Sequence, residues 1–237
     1  MNKSDQIKTD LISLADAEKT AFLPKFFQAF PGGYGEGDRF IGVTVPHQRQ
    51  IARQHYRSTL LSELDSLIGD PVHEYRLTAV FIMVLKYEKA KTEAEKQAVV
   101  NYYLGNIRHI NNWDLVDSSA YKILGAHLYN TERKMLYDLA RSGHLWQQRV
   151  SVIATYYFIR KGDFNDTLKL AEMLLEHEHD LIHKAVGWML REIGNRDFDA
   201  EHRFLKTHYR KMPRTMLRYA IEKFDPVLRK EFLAGLI

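Results

Sequence analysis

The sequence predicts an all-α fold, because prolines are few and apolar residues recur at spacings of three and four. Only six of the 237 residues are proline. The apolar spacing matches one face of a helix and is clearest in residues 72–90 and 181–194. No segment reads convincingly as a strand. The main interruption is predicted to be a loop from Pro31 to Pro46, where glycines and flanking prolines cannot sustain a helix.

A charged residue opens an apolar helical run five times along the chain, at Arg76, Asp114, Arg149, Lys184 and Arg218. These positions are 38, 35, 35 and 34 residues apart. The period is typical of helix-pair repeats, in which each pair buries its apolar face only against its neighbours. No tetratricopeptide signature is visible, so the prediction is a HEAT-like helical repeat solenoid, an alpha-alpha superhelix, forming a single domain over residues 1–237. An ordinary helical bundle whose helix lengths happen to agree is the alternative.

The composition limits the class of protein. Hydrophobic residues make up 45% of the chain, which is enough for a substantial core. Cysteine is absent, which excludes disulfides, thiolate metal sites and cysteine nucleophiles and suits a reducing compartment. Residues 1–22 lack the apolar core of a signal peptide, and no run approaches the roughly 18 apolar residues of a membrane span. We therefore expect a cytoplasmic protein without membrane contact.

Positive charge is concentrated near the C-terminus, although the formal net charge is only +4. Between Glu201 and Arg218, six cations stand against one acid: Arg203, Lys206, Arg210, Lys211, Arg214 and Arg218. A basic segment of this kind attracts phosphate backbones. The alternative is a solvated helix face with no partner.

The segment NNWDLVDSSAYKILG, residues 111–125, is the first candidate for chemistry. Trp113 and Asp117 are four residues apart and therefore neighbours on one face of a helix, an aromatic ring beside a carboxylate. Asp114 could start the helix, and so could Asn111 or Asn112, which is a structural role for these polar side chains. Asp117 lies one turn further in among apolar residues, where a carboxylate needs a partner or a purpose.

Two later helices carry further candidates. Arg149 opens an apolar run one repeat after Asp114; it could make a structural salt bridge between layers, or it could orient a carboxylate or hold a phosphate. Lys184, Trp188 and Arg191 form one stripe of a helix, an arrangement that suits packing on a sugar or base while cations hold phosphates.

Metal and nucleotide chemistry lack support in the sequence. His177, His179 and His183 cluster in EHEHDLIH, but no HExxH pattern occurs, and a polar helix junction explains them better. Phosphate-cradling GxxxxGK[ST], GxSxG and GxGxxG motifs are also absent. We expect neither a metal nor a cofactor.

At these segments the chain resembles the AlkD-type alkylpurine DNA glycosylases, a HEAT-like repeat family. The likeness rests on three blocks in the family's order and at near-identical separations: WDLVDS at 113–118, WQQR at 146–149 and HKAVGWMLRE at 183–192. One departure is that Phe26 or Phe27 stands where the family can carry a tyrosine. The chain also inserts the glycine-rich stretch YGEGDRF.

The resemblance implies roles for individual residues. Asp117 matches the catalytic aspartate, Trp113 and Trp188 match two sugar-contacting tryptophans, and Arg149 matches an active-site arginine. Arg191 matches a DNA-contacting arginine. Further DNA-binding residues are expected to be Lys184, Arg218 and, by a looser match, Arg49.

The expected activity is release of positively charged alkylated purines from double-stranded DNA by hydrolysis of the N-glycosidic bond. The resemblance also implies that the enzyme reaches the sugar without extruding the base into a pocket, and that it acts as a monomer. Because no lysine is placed as an obvious Schiff-base nucleophile, an intact strand with an abasic site should remain. The alternatives are a non-catalytic HEAT-like protein that binds distorted or branched DNA, and a protein-binding scaffold.

Overall fold

The computed structural model describes residues 2–237, and it is all-helical as predicted. Within that range the structure contains no β-strand, only one isolated bridge between Arg39 and Val72. None of the helices in this range is both long enough and apolar enough to cross a bilayer. The chain divides into two compact units, one ending at Ile123 and the other comprising Leu124–Ile237. The single domain over residues 1–237 stays a prediction.

The first unit is built around one buried helix. Its helices are α1 (Lys3–Ile12), α2 (Ala17–Phe26), α3 (Val45–His55), α4 (Asp65–Ile68), α5 (His73–Lys89), α6 (Glu93–Gly105) and α7 (Trp113–Ser119), with 3-10 turns at Leu61–Leu64 and Ile107–His109. Helix α5 is buried on nearly all sides, because its apolar run Leu77–Val84 continues around the helix. Helices α3 and α7 both pack on α5.

The second unit repeats this pattern. Its helices are α8 (Ala126–Leu128), α9 (Lys134–Ala140), α10 (Leu145–Ala154), α11 (Tyr156–Ile159), α12 (Asn165–Met173), α13 (Asp180–Gly194), α14 (Phe198–His208), α15 (Arg214–Ala220) and α16 (Pro226–Ala234), with a 3-10 turn at Ile221–Lys223. Helix α13 packs on both α10 and α15. The approach to α15 is close, since a Cβ atom on Gly187 would overlap the carbonyl oxygen of Met216.

The predicted repeat corresponds to alternating helices. Arg76, Asp114, Arg149, Lys184 and Arg218 lie in the first two turns of α5, α7, α10, α13 and α15, respectively. Within the first unit α5 packs on α7, and within the second unit α13 packs on its two marked neighbours. This arrangement, in which marked helices are layered against each other, is the one expected of helical repeats.

The loop predicted from Pro31 to Pro46 is real, but its C-terminal boundary was wrong. Helix α3 begins at Val45 and so includes Pro46, because the first turn of a helix does not need the missing proline N–H. The loop is tied to the start of α5, where the backbone N–H of His73 donates to the carbonyl oxygen of Arg39 over 2.8 Å. Gly42 adopts a left-handed φ of 80°, and a Cβ there would overlap the carbonyl oxygen of Asp16.

Helix α14 buries an acid against the end of α13. Glu201 is 2% exposed, and its carboxylate packs so closely on Gly194 that a Cβ there would overlap it. Burial raises the pKa of Glu201 to about 9, although the charge of Arg191 opposes the rise. The side chain is therefore neutral at physiological pH.

Replacing Glu201 by glutamine should stabilise the protein increasingly as pH rises. The side chain ionises near 4.5 when unfolded but stays protonated to about 9 when folded, so the folded state loses stability between these values. Glutamine has no proton to lose. In thermal unfolding followed by circular dichroism, the Tm advantage of E201Q over wild type should grow from about pH 5 to about pH 9. The exposed Glu172→Gln is the control, and a pH-independent advantage would argue against a neutral buried acid.

Candidate functional site

The start of helix α7 is set by an asparagine cap. Asn112 has an extended backbone, and its side-chain oxygen accepts a hydrogen bond from the N–H of Trp113 over 2.8 Å. Of the three residues that could start this helix, Asn112 is the cap, whereas Asp114 lies in the first turn. Trp113 and Asp117 are therefore on one face of a regular helix, as predicted, and both are partly exposed.

A buried group of polar side chains holds this cap in place; we call Asp38, His73, Arg76, Asn112 and Asp114 the imidazole cluster. His73 lies at its centre, with Nδ1 3.0 Å from a carboxylate oxygen of Asp38 and Nε2 2.8 Å from one of Asp114. Asp38 also accepts from Arg76 and, over 3.2 Å, from the side-chain amide of Asn112. The glycine-rich loop, α5 and α7 are thus joined through one imidazole ring.

The cluster keeps His73 charged. Burial by itself disfavours the imidazolium, but the carboxylates of Asp114 and Asp38 outweigh it and raise the pKa of His73 to about 9. Burial likewise opposes ionisation of Asp38, yet His73, Arg76 and Asn112 lower the pKa of that carboxyl. Two cations and two carboxylates therefore balance in the interior, which is the condition under which buried charges are tolerated.

Aromatic rings extend the cluster to Trp113. The indole stacks on Phe27 with ring centroids 5.5 Å apart, and Phe27 lies 4.6 Å from the His73 ring. Phe40 stacks on the other rings at 5.4 Å from Phe27. Where the family can carry a tyrosine, Phe27 is buried in this stack, whereas Phe26 is half exposed and meets Trp113 edge-on.

Asp117 lies beside a buried phenol. Burial raises the pKa of Tyr103, and the negative charge of Asp117 raises it further. Tyr103 is fixed by a 3.0 Å hydrogen bond to Ser119 at the end of α7. Elsewhere in the first unit, Arg49 is on the exposed side of α3 with its guanidinium 4.7 Å from the ring centroid of Phe81.

In the second unit, the predicted stripe on α13 is present. Lys184, Trp188 and Arg191 are partly exposed, while the residues between them are largely buried. Lys184 pairs with Asp180 at 2.7 Å, and Arg191 pairs with Glu222. The Trp188 ring lies 5.8 Å from Tyr156, and its N–H donates to Glu192 over 3.3 Å.

Arg149 connects two helices of the second unit. Its side chain is 4% exposed and donates to the carbonyl oxygen of Leu181 at the start of α13. A structural role within this unit is therefore established, and the role matched by resemblance stays a prediction. Asp117 belongs to the first unit and Arg149 to the second.

The basic segment is more strongly basic than its composition indicates. All six of its cations are exposed: Arg203, Lys206, Arg210, Lys211, Arg214 and Arg218. Its one acid, Glu201, is buried, and its pKa of about 9 keeps it uncharged. No carboxylate within the segment therefore offsets its positive charge.

The three neighbouring histidines have structural partners. His179 caps α13 by accepting from the N–H of Leu181 over 3.1 Å, and His177 contacts Gln148 over 2.9 Å. His183 bonds to the carbonyl oxygen of His177. These contacts fit the interpretation of a polar helix junction.

Sequence reasoning missed the centre of the imidazole cluster. Arg76 and Asp114 were noticed only as repeat markers, and Asp38 was only part of a loop. A signal was present in HEYR, residues 73–76, where four polar or aromatic residues open the most apolar helix of the chain. Such residues need partners when buried, but the sequence does not reveal that Asp38 supplies one.

Replacing Asp38 by asparagine should lower the pKa of His73, because one of its two carboxylate partners is lost. His73 stabilises the fold fully below its ordinary value of 6.5, and this contribution is lost as pH rises through about 9. The Tm gap between wild type and D38N should therefore narrow across that range, and nuclear magnetic resonance of the imidazole should show the lower pKa directly. The exposed Asp138→Asn is the control. A wild-type His73 that titrates near 6.5 would refute the charged cluster.

Comparison with known proteins agrees with these features. The family model described as DNA alkylation repair enzyme matches residues 7–224. A solved structure described as a predicted DNA alkylation repair enzyme from Enterococcus faecalis is similar, with a TM-score of 0.68 and 16% identity over 90% of this chain and 97% of that one. This likeness supports the helical fold alone. No curated protein matches. Because the family model spans most of the sequence, the chain belongs to the DNA alkylation repair enzyme family.

Proposed function

We propose that this protein is a monofunctional DNA glycosylase that hydrolyses the N-glycosidic bond of cationic purines of the 3-methyladenine and 7-methylguanine type. The observation that carries the proposal is the pairing of Trp113 with Asp117 on one face of α7, whose start is anchored by the imidazole cluster. Family membership supports a role in DNA alkylation repair. The resemblance in the three sequence blocks supports the finer assignment.

The chemistry asks little of the protein at the base. A purine alkylated at ring nitrogen 3 or 7 carries a positive charge, so it leaves with the electron pair of the C1′–N bond and becomes neutral. Positive charge then builds on the deoxyribose, and water adds to C1′ and loses a proton. We assign to Asp117 the stabilisation of that charge and the orientation of the water.

Three further residues complete the proposed catalytic set. Trp113 and Trp188 offer electron-rich faces to the cationic sugar. Arg149 holds a phosphate or orients the carboxylate. Arg191, Lys184, Arg49 and Arg218 are assigned to the DNA backbone, together with the exposed basic segment. The proposed enzyme needs no metal or other cofactor, and it acts as a cytoplasmic monomer on double-stranded DNA.

Replacing Asp117 by asparagine should abolish base release while leaving DNA affinity nearly unchanged. The amide preserves size but cannot stabilise a developing cation, and removal of such a group costs about 100-fold or more in rate. Single-turnover release of free base from methylated DNA, measured with chelator present, is the assay. Asp138→Asn is the matched control. Full activity of D117N would remove Asp117 from its role, and absence of release by wild type would favour the non-catalytic DNA-binding alternative.

Arg191 and its partner Glu222 allow a paired test of DNA binding. Arg191→Ala should weaken binding to all sequences and reduce the salt slope by about one, as expected for one lost phosphate contact. Glu222→Gln removes the carboxylate that competes for Arg191, so it should strengthen binding. Fluorescence anisotropy at several salt concentrations measures both effects. An unchanged slope in R191A would exclude a phosphate contact.

A further inference from the structure

A cavity of about 360 Å³ opens in the first unit beside Trp113. Helices α2, α3, α5 and α7 and the glycine-rich loop all contribute to its wall. Four aromatic side chains line it: Phe26, Phe27, Phe40 and Trp113. Its volume falls in the range of about 300–1,000 Å³ of small-molecule sites. Flat apolar walls of this kind suit an aromatic ring.

Two acceptor oxygens of residues lining this cavity are buried and lack a donor. Neither Oε1 of Gln48 nor Oδ1 of Asp114 has a hydrogen-bond partner within residues 2–237. Gln48 is 2% exposed, and its side-chain amide already donates to the carbonyl oxygen of Val43 over 2.7 Å. Buried acceptors without partners are costly, so they point to a ligand that donates hydrogen bonds.

The charge of the surroundings narrows the ligand further. The lining includes the carboxylates of Asp114 and Glu74; the latter accepts from the backbone N–H groups of Ile41 and Gly42. His73 is committed to Asp38 and Asp114, and Lys19 pairs with Asp16. An acceptor-rich, aromatic-walled cavity disfavours phosphates and favours a planar ring with an amino group, including a positively charged one.

We propose that this cavity binds the purine base of the lesion, and specifically an alkylated adenine whose exocyclic amine donates to Gln48 and Asp114. The inference rests on the proposed function, which supplies the class of base. It also differs from the expectation that the base is never extruded into a pocket. Trp113 connects the two sites, since it lines the cavity and shares a helix face with Asp117.

Calorimetry with the free base tests the proposal without DNA or catalysis. The intact protein is titrated with 3-methyladenine and, as ligand control, with purine, which lacks the amine. We expect 3-methyladenine to bind and purine to bind about tenfold more weakly, as for loss of a hydrogen bond. Gln48→Leu should cause a similar loss for 3-methyladenine.

An exposed wall residue provides a variant that does not depend on core packing. Phe26 is 50% exposed and lines the cavity, whereas Phe22, one turn earlier on α2, is 60% exposed and does not line it. Phe26→Ala should weaken 3-methyladenine binding about tenfold through lost stacking, and Phe22→Ala should not.

The outcomes separate this proposal from the proposed function. Base release from methylated DNA, combined with no binding of 3-methyladenine or with equal binding of purine, overturns the cavity assignment and leaves the glycosylase intact. Binding that depends on the amine and on Phe26, combined with no release from DNA, supports the cavity and overturns the glycosylase.

Discussion

The rest of the candidate site depends on one buried ion-paired ring, the imidazolium of His73 between Asp38 and Asp114. Removing any one of the three would leave a charge in the interior without compensation, which is strongly destabilising. The same interaction joins a long loop, the central helix α5 and the start of α7. Charge balance and site geometry are therefore two results of one contact set.

Much of the fold follows from local sequence. Apolar spacing predicted the helices, and the recurrence of charged residues marked helices that pack on each other, α5 with α7 and α13 with α15. The Trp113–Asp117 face and the α13 stripe were predictable for the same reason, because spacing along a helix fixes which side chains are neighbours. Pro46 was misassigned, since proline ends a helix in its interior but is accepted in its first turn.

Contacts between distant segments were beyond the reach of pattern reasoning. Asp38 and Asn112 are 74 residues apart, and nothing in the spacing predicts that they meet. The buried, neutral Glu201 is a similar case, because its pKa is set by packing against Gly194 and not by sequence neighbours. The sequence counted it as a negative charge, whereas the folded segment from Glu201 to Arg218 presents only cations.

The most direct test of the proposed reaction is to identify its products. Double-stranded DNA treated with a methylating agent is incubated with the protein in ¹⁸O-labelled water, and the free bases and the strand are analysed by mass spectrometry. Hydrolysis of the N-glycosidic bond predicts released methylpurines, an intact strand and one labelled oxygen at the abasic sugar. DNA that is bound but keeps its methylpurines, or a strand that is cleaved, would contradict a monofunctional glycosylase.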